Sequence, residues 1–410
     1  MSGSRFPDMQ ISKKVEGIPE ALSIYMNQLV YAEKRKGIDI ITLSLGEAFF
    51  DIPMFDFGKL NFEKGYHYSE SYGIPELRRK IVEYYNTRYG ASLPGIDEVL
   101  VSCGSKPLIY MAVQAILNEG DEVLIHEPAW LSYREQVKLA DGIPKFIPYD
   151  RRAKDFHQYY TEKTKILILN NPNNPAGWVY SRDELVLLYR ECRERGIYIL
   201  TDEAYSDFVD DGRFTSMAAV APSLDGVIIV NSLSKNMGIS GWRIGYIFAK
   251  KELLYHILKI NQHLLTCAPT ILQMYLAQYF DDIIRITLPQ VGEVIQKRKR
   301  MAAYMDNVKL SYLPGDATFY FFVSIEGFED SALDFCLYLL FRYGISTVPG
   351  TAYGESTGRF IRVSIGAESE ERLRHAFDII SAVIRGKHGD QTFIDKKLEE
   401  NGFHRFREGN

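Results

Sequence analysis

From Glu98 to about Ala249 the sequence repeats one unit: a short apolar run, a turn rich in Gly, Pro or Asn, then a helical stretch. The candidate strands are Glu98–Cys103, Glu122–His126, Lys165–Asn170, Ile197–Asp202, Val227–Asn231 and Ile244–Ala249. Several are apolar on consecutive residues, as strands covered on both faces should be. Between them Ser181–Arg195 predicts a helix, with Ser181 and Glu184 as a capping box and Gly196 as the stop. This alternation predicts a largely parallel α/β sheet with right-handed crossovers.

The flanks differ. Residues 1–55 mix a helical stretch (Ile18–Lys36) with a strand-like one (Ile40–Leu45). A long, charge-dotted helical region ends near Asp306. Leu310–Ile325 and Arg359–Ile365 then predict strands and Glu368–Arg385 a helix, an α+β arrangement. From Gly386 the chain is polar and charged and reads as a mobile tail. A chain of 410 residues exceeds what one hydrophobic core usually serves, so a large unit and a smaller one are expected.

Composition excludes several classes. The 48 basic and 53 acidic residues give a net charge of −5, so no basic field gathers nucleic acid or anionic lipid. Cys103, Cys192, Cys267 and Cys336 lie far apart and read as isolated thiols in a reducing compartment, not as zinc ligands or disulfides. No apolar run nears the ~20 residues of a membrane span. The start, Met1 to Asp8, lacks a basic region followed by an apolar one, so no secretory leader is expected and a soluble cytoplasmic protein is. HExxH, Walker A and paired Cys/His spacings do not occur, so a metal site has no support. His126 and His263 read as structural.

Ligands of open α/β sheets bind at the carboxyl ends of the strands. Here those ends carry Gly104-Ser105-Lys106, His126 through Trp130, Asn170 through Gly177, Asp202-Glu203-Ala204-Tyr205, and Asn231-Ser232-Leu233-Ser234-Lys235. One pocket would collect an anion-binding helix start, an aromatic ring, an amide, a carboxylate with a phenol, and a lysine.

That ordered set resembles the class I/II aminotransferases, the aspartate aminotransferase superfamily of fold type I pyridoxal-phosphate enzymes, from about Leu45 to Gly366. Its sharpest segments are Asn171 through Gly177, Asp202 through Tyr205, and Ser232 through Lys235 continuing to Gly241-Trp242-Arg243-Ile244-Gly245-Tyr246. Tyr68 through Arg78 and Val348-Pro349-Gly350 add weaker support. The resemblance implies an α/β large domain with a mostly parallel seven-stranded sheet flanked by helices. A smaller α+β domain would form from the N- and C-terminal segments. The boundaries would be an N-terminal arm to residue 55, a cofactor domain 56–295, a small domain 296–388 and a polar tail 389–410. It also implies a homodimer with composite sites.

The resemblance further assigns residues. Lys235 matches the lysine that links to pyridoxal 5'-phosphate as a Schiff base and then shuttles a proton, which needs neighbours that lower its proton affinity. Asp202 would keep the pyridine nitrogen protonated, making the ring an electron sink. Tyr205 and Asn174 would donate to its phenolic oxygen. Gly104, Ser105, Ser232 and Arg243 would form the phosphate cup, with Tyr68 reaching in from the neighbouring subunit. Trp130 would stack on the ring, and Trp242 would be structural. Arg362 would grip the substrate α-carboxylate, with Gly46 giving backbone access. Arg359, on the opposite strand face, is expected in solvent. Lys106 would face either the phosphate or a distal acidic group of the substrate. The implied reaction moves an amino group from an L-amino acid (aspartate, another dicarboxylic or an aromatic one) to a 2-oxo acid such as 2-oxoglutarate. A lyase acting through the same cofactor and a non-catalytic binding relative are the alternatives.

Two departures fall on the substrate side. Glu47-Ala48-Phe49-Phe50 replaces the usual Glu-Pro-Asp-Phe, and Asp316 stands where relatives often have Gly. Gly354-Glu355-Ser356-Thr357-Gly358 fits GxSxG, but a hydrolase elbow needs a strand before it and a helix after it. Here a strand-like run follows, so the match reads as chance.

Overall fold

The consecutive apolar runs do become doubly covered strands. A computed structural model describes residues 11–210 and 212–406. After a two-residue strand β1 (Ile41–Thr42) come the seven strands of the main sheet. These are β2 (Val99–Ser102), β3 (Glu122–His126), β4 (Ile143–Ile147), β5 (Thr164–Asn170), β6 (Tyr198–Asp202), β7 (Val227–Ser232) and β8 (Gly245–Ala249). Their order is β2-β8-β7-β6-β5-β3-β4, and only the pairings made by β8 are antiparallel.

Period-two alternation splits the sheet into two cores. Val101, Leu124, Leu167, Ile199, Ile229 and Phe248 face one layer of helices, Pro75–Arg88, Arg182–Arg195 and the first half of Thr270–Asn307. Leu100, Ile125, Ile168, Leu200, Val230 and Ile247 face the other, Ser105–Ile116, Ser132–Leu139 and Lys251–Leu264. β4 escapes the sequence pattern because it is an edge strand with alternating exposure, and Pro144 is tolerated there. The capping box of Ser181 and Glu184 forms, and Gly196 adopts the left-handed conformation that ends the helix.

A third core lies beside these, built from both ends of the chain. Helix Leu22–Arg35 and β1 pack with β9 (Tyr320–Ser324), β10 (Ile345–Ser346), β11 (Val348–Pro349), β12 (Phe360–Ser364) and the helices Ala332–Tyr343 and Glu370–Gly386. β1 pairs with β10, and β11-β12-β9 form a small antiparallel sheet. Helix Thr270–Asn307 crosses between cores, burying Tyr275 and Phe280 in one and Ile295 and Met301 in the other.

Four expectations need correction. The run Leu310–Ile325 is not one strand: a turn at Pro314-Gly315 folds it back, so Tyr312 bridges antiparallel to Val323 and only Tyr320–Ser324 joins the sheet. Within Ile40–Leu45 only Ile41–Thr42 pairs. Arg359 is not in open solvent. Its half-buried guanidinium donates to the carbonyls of Ile325, Phe328 and Asp330. Residues 387–406 are not a loose tail. Gln391–Glu400 is a helix with Ile394 and Leu398 buried, and Tyr25 donates to the His404 carbonyl while contacting Phe403 and Phe406. Widely spaced apolar residues among charges look like a tail in sequence, yet they form one apolar stripe at helical spacing.

The start of the chain, read as lacking a leader, lies in residues 1–10, outside the described residues. All four cysteines are free. Among the described residues no helix is long and apolar enough to cross a membrane. Replacing Leu398 by Ala is expected to cost about 2–5 kcal/mol, as buried Leu truncations do. Urea unfolding measures it, and a disordered tail would show no change.

Candidate active site

The carboxyl ends of β5, β6 and β7 and the turn after β2 converge on a cavity of about 420 Å³. Asp202 ends β6 and is buried. Its Oδ2 accepts from the Tyr133 hydroxyl at 2.7 Å and its Oδ1 from the Ala204 amide at 3.1 Å. Burial pushes its carboxyl above the usual range, against the pull of those bonds and of the Lys235 charge. Asn170, ending β5, ties the loop that follows: its Nδ2 donates to the Asp202 carbonyl, and its Oδ1 accepts from the Asn174 amide at 2.6 Å.

Lys235 stands in a short helical turn just after β7, started by the Ser232 side chain accepting from the Ser234 amide. Its Nζ donates to the Gly46 carbonyl at 2.7 Å and lies 5.6 Å from the centre of the Tyr205 ring. Desolvation in the cavity lowers its proton affinity to about 8; Glu47 and Asp202 oppose this, and Arg362 and Arg243 assist it. About a tenth of the amine is therefore neutral at pH 7, several hundred times the share of an ordinary lysine.

A cationic cup sits beside it. Gly104 precedes helix Ser105–Ile116 with φ +90°, and a Cβ there would lie 2.6 Å from Arg243 Nη2. Only glycine lets the guanidinium rest against this turn, where the free amides of the helix start face outward. Gly245 is equally constrained, since its Cβ would lie 2.5 Å from Gly104 C and Ser105 N. Ser232 Oγ donates to Ser234 Oγ at 2.8 Å on the same wall. The Lys106 ammonium lies 5.0 Å from the Trp130 ring centre, and burial, then the Arg243 charge, depresses its proton affinity. Trp130 meets Tyr133 edge-on at 5.3 Å.

The opposite wall carries Arg362. It is buried between the Tyr320 and Tyr353 rings, at 4.7 and 5.3 Å from their centres. Nη2 donates to the Ser44 carbonyl at 2.7 Å, Nη1 reaches Asn174 Oδ1 at 3.5 Å, and Nε has no partner. Tyr205 and Tyr320 share a hydroxyl–hydroxyl bond of 2.9 Å, and Asn174 Nδ2 lies 3.5 Å from the Tyr205 hydroxyl.

Gly46, Ser105, Lys106, Trp130, Asn174, Asp202, Tyr205, Ser232, Lys235, Arg243 and Arg362 thus line one cavity, with Gly104 against its cup. Tyr68 does not join them. It is 85% exposed and borders a separate depression with Lys64 and Met274. Sequence reasoning missed Tyr133, Tyr320, and the pair Ser240–Glu47, whose side chains are hydrogen-bonded at the cavity. Tyr133 lies three residues after Trp130 near a helix start, a spacing that puts both on one side. Nothing in the sequence marks Tyr320. His126 is structural, as read: it bonds the Tyr180 hydroxyl at 2.6 Å, stacks on Trp178, and burial holds it down to about 3. Trp242 packs on Tyr275 and Phe57, and Asp316 pairs with Arg213. Ser356 donates to Glu127 in a turn that leads into β12, without an elbow's strand-to-helix setting.

The sequence matches the family model for aminotransferase class I and II over residues 56–380. The chain belongs to this family. It is similar to an aspartate aminotransferase of Sulfurisphaera tokodaii, 29% identical over 375 residues, covering 86% of this chain and 92% of that one. A probable aspartate/prephenate aminotransferase of Aquifex aeolicus is 32% identical over 83% of this chain and 90% of its own. Among solved structures, the aspartate aminotransferase of Thermus thermophilus with maleate superposes with a TM-score of 0.83. It has 27% identity, over 92% of this chain and all of that one. This aminotransferase is therefore a transferase that moves amino groups, in a family that uses pyridoxal phosphate and acts on amino and oxo acids.

The aminotransferase's Lys235 amine is expected to react with an added aldehyde at a rate that climbs with pH and levels off above about 8, because only the neutral amine attacks. Borohydride trapping and peptide mapping measure it. A rate still climbing toward 10 would mean an ordinary, solvated lysine.

Proposed function

We propose that this aminotransferase binds pyridoxal 5'-phosphate in the strand-end cavity and uses it to transfer the amino group of an L-amino acid to a 2-oxo acid such as 2-oxoglutarate. The observation that carries the reading is the lowered proton affinity of Lys235 in the same cavity as the buried acid Asp202 and the Gly104–Arg243 cup. A cup that a Cβ would fill, two serine hydroxyls and a guanidinium suit a phosphate dianion. A buried carboxylate suits a protonated pyridine nitrogen, and an amine with a lowered proton affinity suits an aldehyde.

The cofactor supplies an aldehyde carbon to receive nitrogen and an electron-withdrawing ring. The chain's residues do the rest on this reading. Lys235 Nζ would hold the aldehyde covalently and, when free, would accept the proton of the substrate Cα. Asp202, oriented by Tyr133 and the Ala204 amide, keeps a proton on the ring nitrogen. Tyr205 and Asn174 would donate to the phenolic oxygen, and Trp130 would lie against the ring. Gly104, Ser105, Ser232 and Arg243 hold the phosphate. Arg362 receives the α-carboxylate, with Gly46 leaving space beside it; the unpartnered Nε and long Nη1 contact leave donors to spare. That grip sets the Cα–H bond for removal. The exposure of Tyr68 fits a homodimer in which it reaches the neighbouring phosphate site, and four free thiols fit a cytoplasmic enzyme. The N-terminal arm to residue 55 and residues 296–388 would form the smaller unit against 56–295.

Purified enzyme should show a visible absorbance band that borohydride abolishes, and Lys235→Ala should lack covalent cofactor. An amino acid alone should shift the band in one turnover to that of the aminated cofactor; continuing release of pyruvate and ammonia would mean a lyase instead. Arg362→Lys should lower kcat/KM by about 100-fold, mainly through KM, because a point charge replaces a bidentate fork. Equal loss with amines that lack a carboxylate would refute that role.

A further inference from the structure

A second cavity, of about 560 Å³, lies directly beside the first. Lys106 lines both. So do consecutive residues on two elements: Trp130 faces one and Leu131 the other, and Ser23 faces one and Leu22 the other. The partition between them is thus the Lys106 side chain, the Trp130–Leu131 segment and the first turn of helix Leu22–Arg35. At about 420 Å³ the first cavity lies low in the range of ligand sites and on the reading above also holds the cofactor, so a substrate side chain longer than that of aspartate needs space outside it.

The outer wall is built from the two ends of the chain. Ile18, Pro19, Leu22 and Phe406 all lie outside the matched residues 56–380. Phe406 is held there by its contact with Tyr25, at 5.2 Å between ring centres, and by the Tyr25–His404 bond. The inner wall is apolar at Leu131 and Leu139 but ends in acceptors. Gln136 is buried, spends its amide donor on the Lys106 carbonyl at 2.9 Å, and its Oε1 has no hydrogen-bond partner, while Glu135 is ion-paired with Arg134 and with Lys138 at 3.7 Å. Acids on the lining (Glu20, Glu135, Glu355) outnumber bases (Lys106, Arg134), and Arg134 is already engaged by Glu135 at 3.0 Å.

We propose that this cavity receives the side chain of the amino substrate and selects amino acids with a long apolar stem ending in a hydrogen-bond donor, in preference to aspartate. The inference rests on the cofactor and Arg362 assignments above, which fix the substrate's Cα in the first cavity. From there a side chain of four or more carbons passes Lys106 and Trp130, buries its stem against Leu131, Leu139 and Phe406, and brings its end to the acceptors.

Single-turnover amino transfer to the holoenzyme tests this with L-lysine, L-norleucine and L-2-aminoadipate, which share chain length and differ at the end, beside L-aspartate and L-alanine. Lysine should exceed aspartate in kcat/KM by at least tenfold and should exceed norleucine, with aminoadipate last of the three. Ala21→Trp, which fills the second cavity from its rim, should cut lysine and norleucine at least tenfold and leave alanine within threefold. Phe406→Ala should raise KM for the long donors only. The alanine rate and the cofactor band report that each variant is folded and loaded. Aspartate or aminoadipate as the best donor, or equal loss of alanine and lysine in Ala21→Trp, overturns the proposal. Failure of every donor, alanine included, would instead overturn the aminotransferase reading beneath it.

Discussion

An amine kept out of water is the condition on which the rest of this site depends. Lys235 is partly stripped of solvent by the cavity and placed among Arg362 and Arg243, with only Glu47 and Asp202 to favour its charge. The backbone has to tolerate this arrangement without collapsing onto it. It does so because Lys235 and Asp202 sit at the ends of neighbouring parallel strands, whose backbone bonds hold them apart at fixed spacing. Ser232 starts the turn that lifts the lysine off the sheet, and the Gly46 carbonyl, from the other end of the chain, receives its proton donor.

The same alternation that puts Asp202 and Ser232 in the cavity turns Glu203 and Asn231 to its rear. There Glu203 accepts from Ser216, Tyr85 and the Met217 amide, at 2.8, 3.2 and 2.9 Å. Tyr85 in turn accepts from Asn231 Nδ2 at 2.7 Å, and Asn231 Oδ1 accepts from the Ser232 amide. Burial lifts Glu203 to about 7, which these donors partly oppose. The two strand ends that lead to Asp202 and Lys235 are thus joined behind the sheet by a buried, satisfied polar chain. Such chains narrow the geometries available to the residues in front of them.

Much of the site was legible because several of its residues stand at or just after the ends of strands that are apolar on both faces. The strand ends at Asp202 and Asn170, and that before Ser232, could be read from where apolar runs stop, and the Gly104 turn from a glycine between a strand and a helix. The illegible parts share a cause. β4 alternates and carries Pro144, so it lacks the continuous run. Tyr320 enters from a distant strand beyond a turn that the apolar pattern conceals, and Tyr133 counts only because a helix returns it to Asp202. Arg359 looked like a solvent residue because side-chain alternation says which face it leaves, not what covers that face; a neighbouring loop does.

The sequence by itself determined the doubly covered sheet, the order of its polar strand ends and the membership of the aminotransferase family. Those depend on local pattern and on short motifs whose spacing survives in one dimension. Tertiary structure decided what stands between the two ends of the chain. It set helix Leu22–Arg35, β1 and the Phe406 segment against the strand ends, brought Gly46 to Lys235, and built a second cavity from residues nearly 400 positions apart. No local pattern encodes such contacts, because they arise only when separate amphipathic faces find a common core.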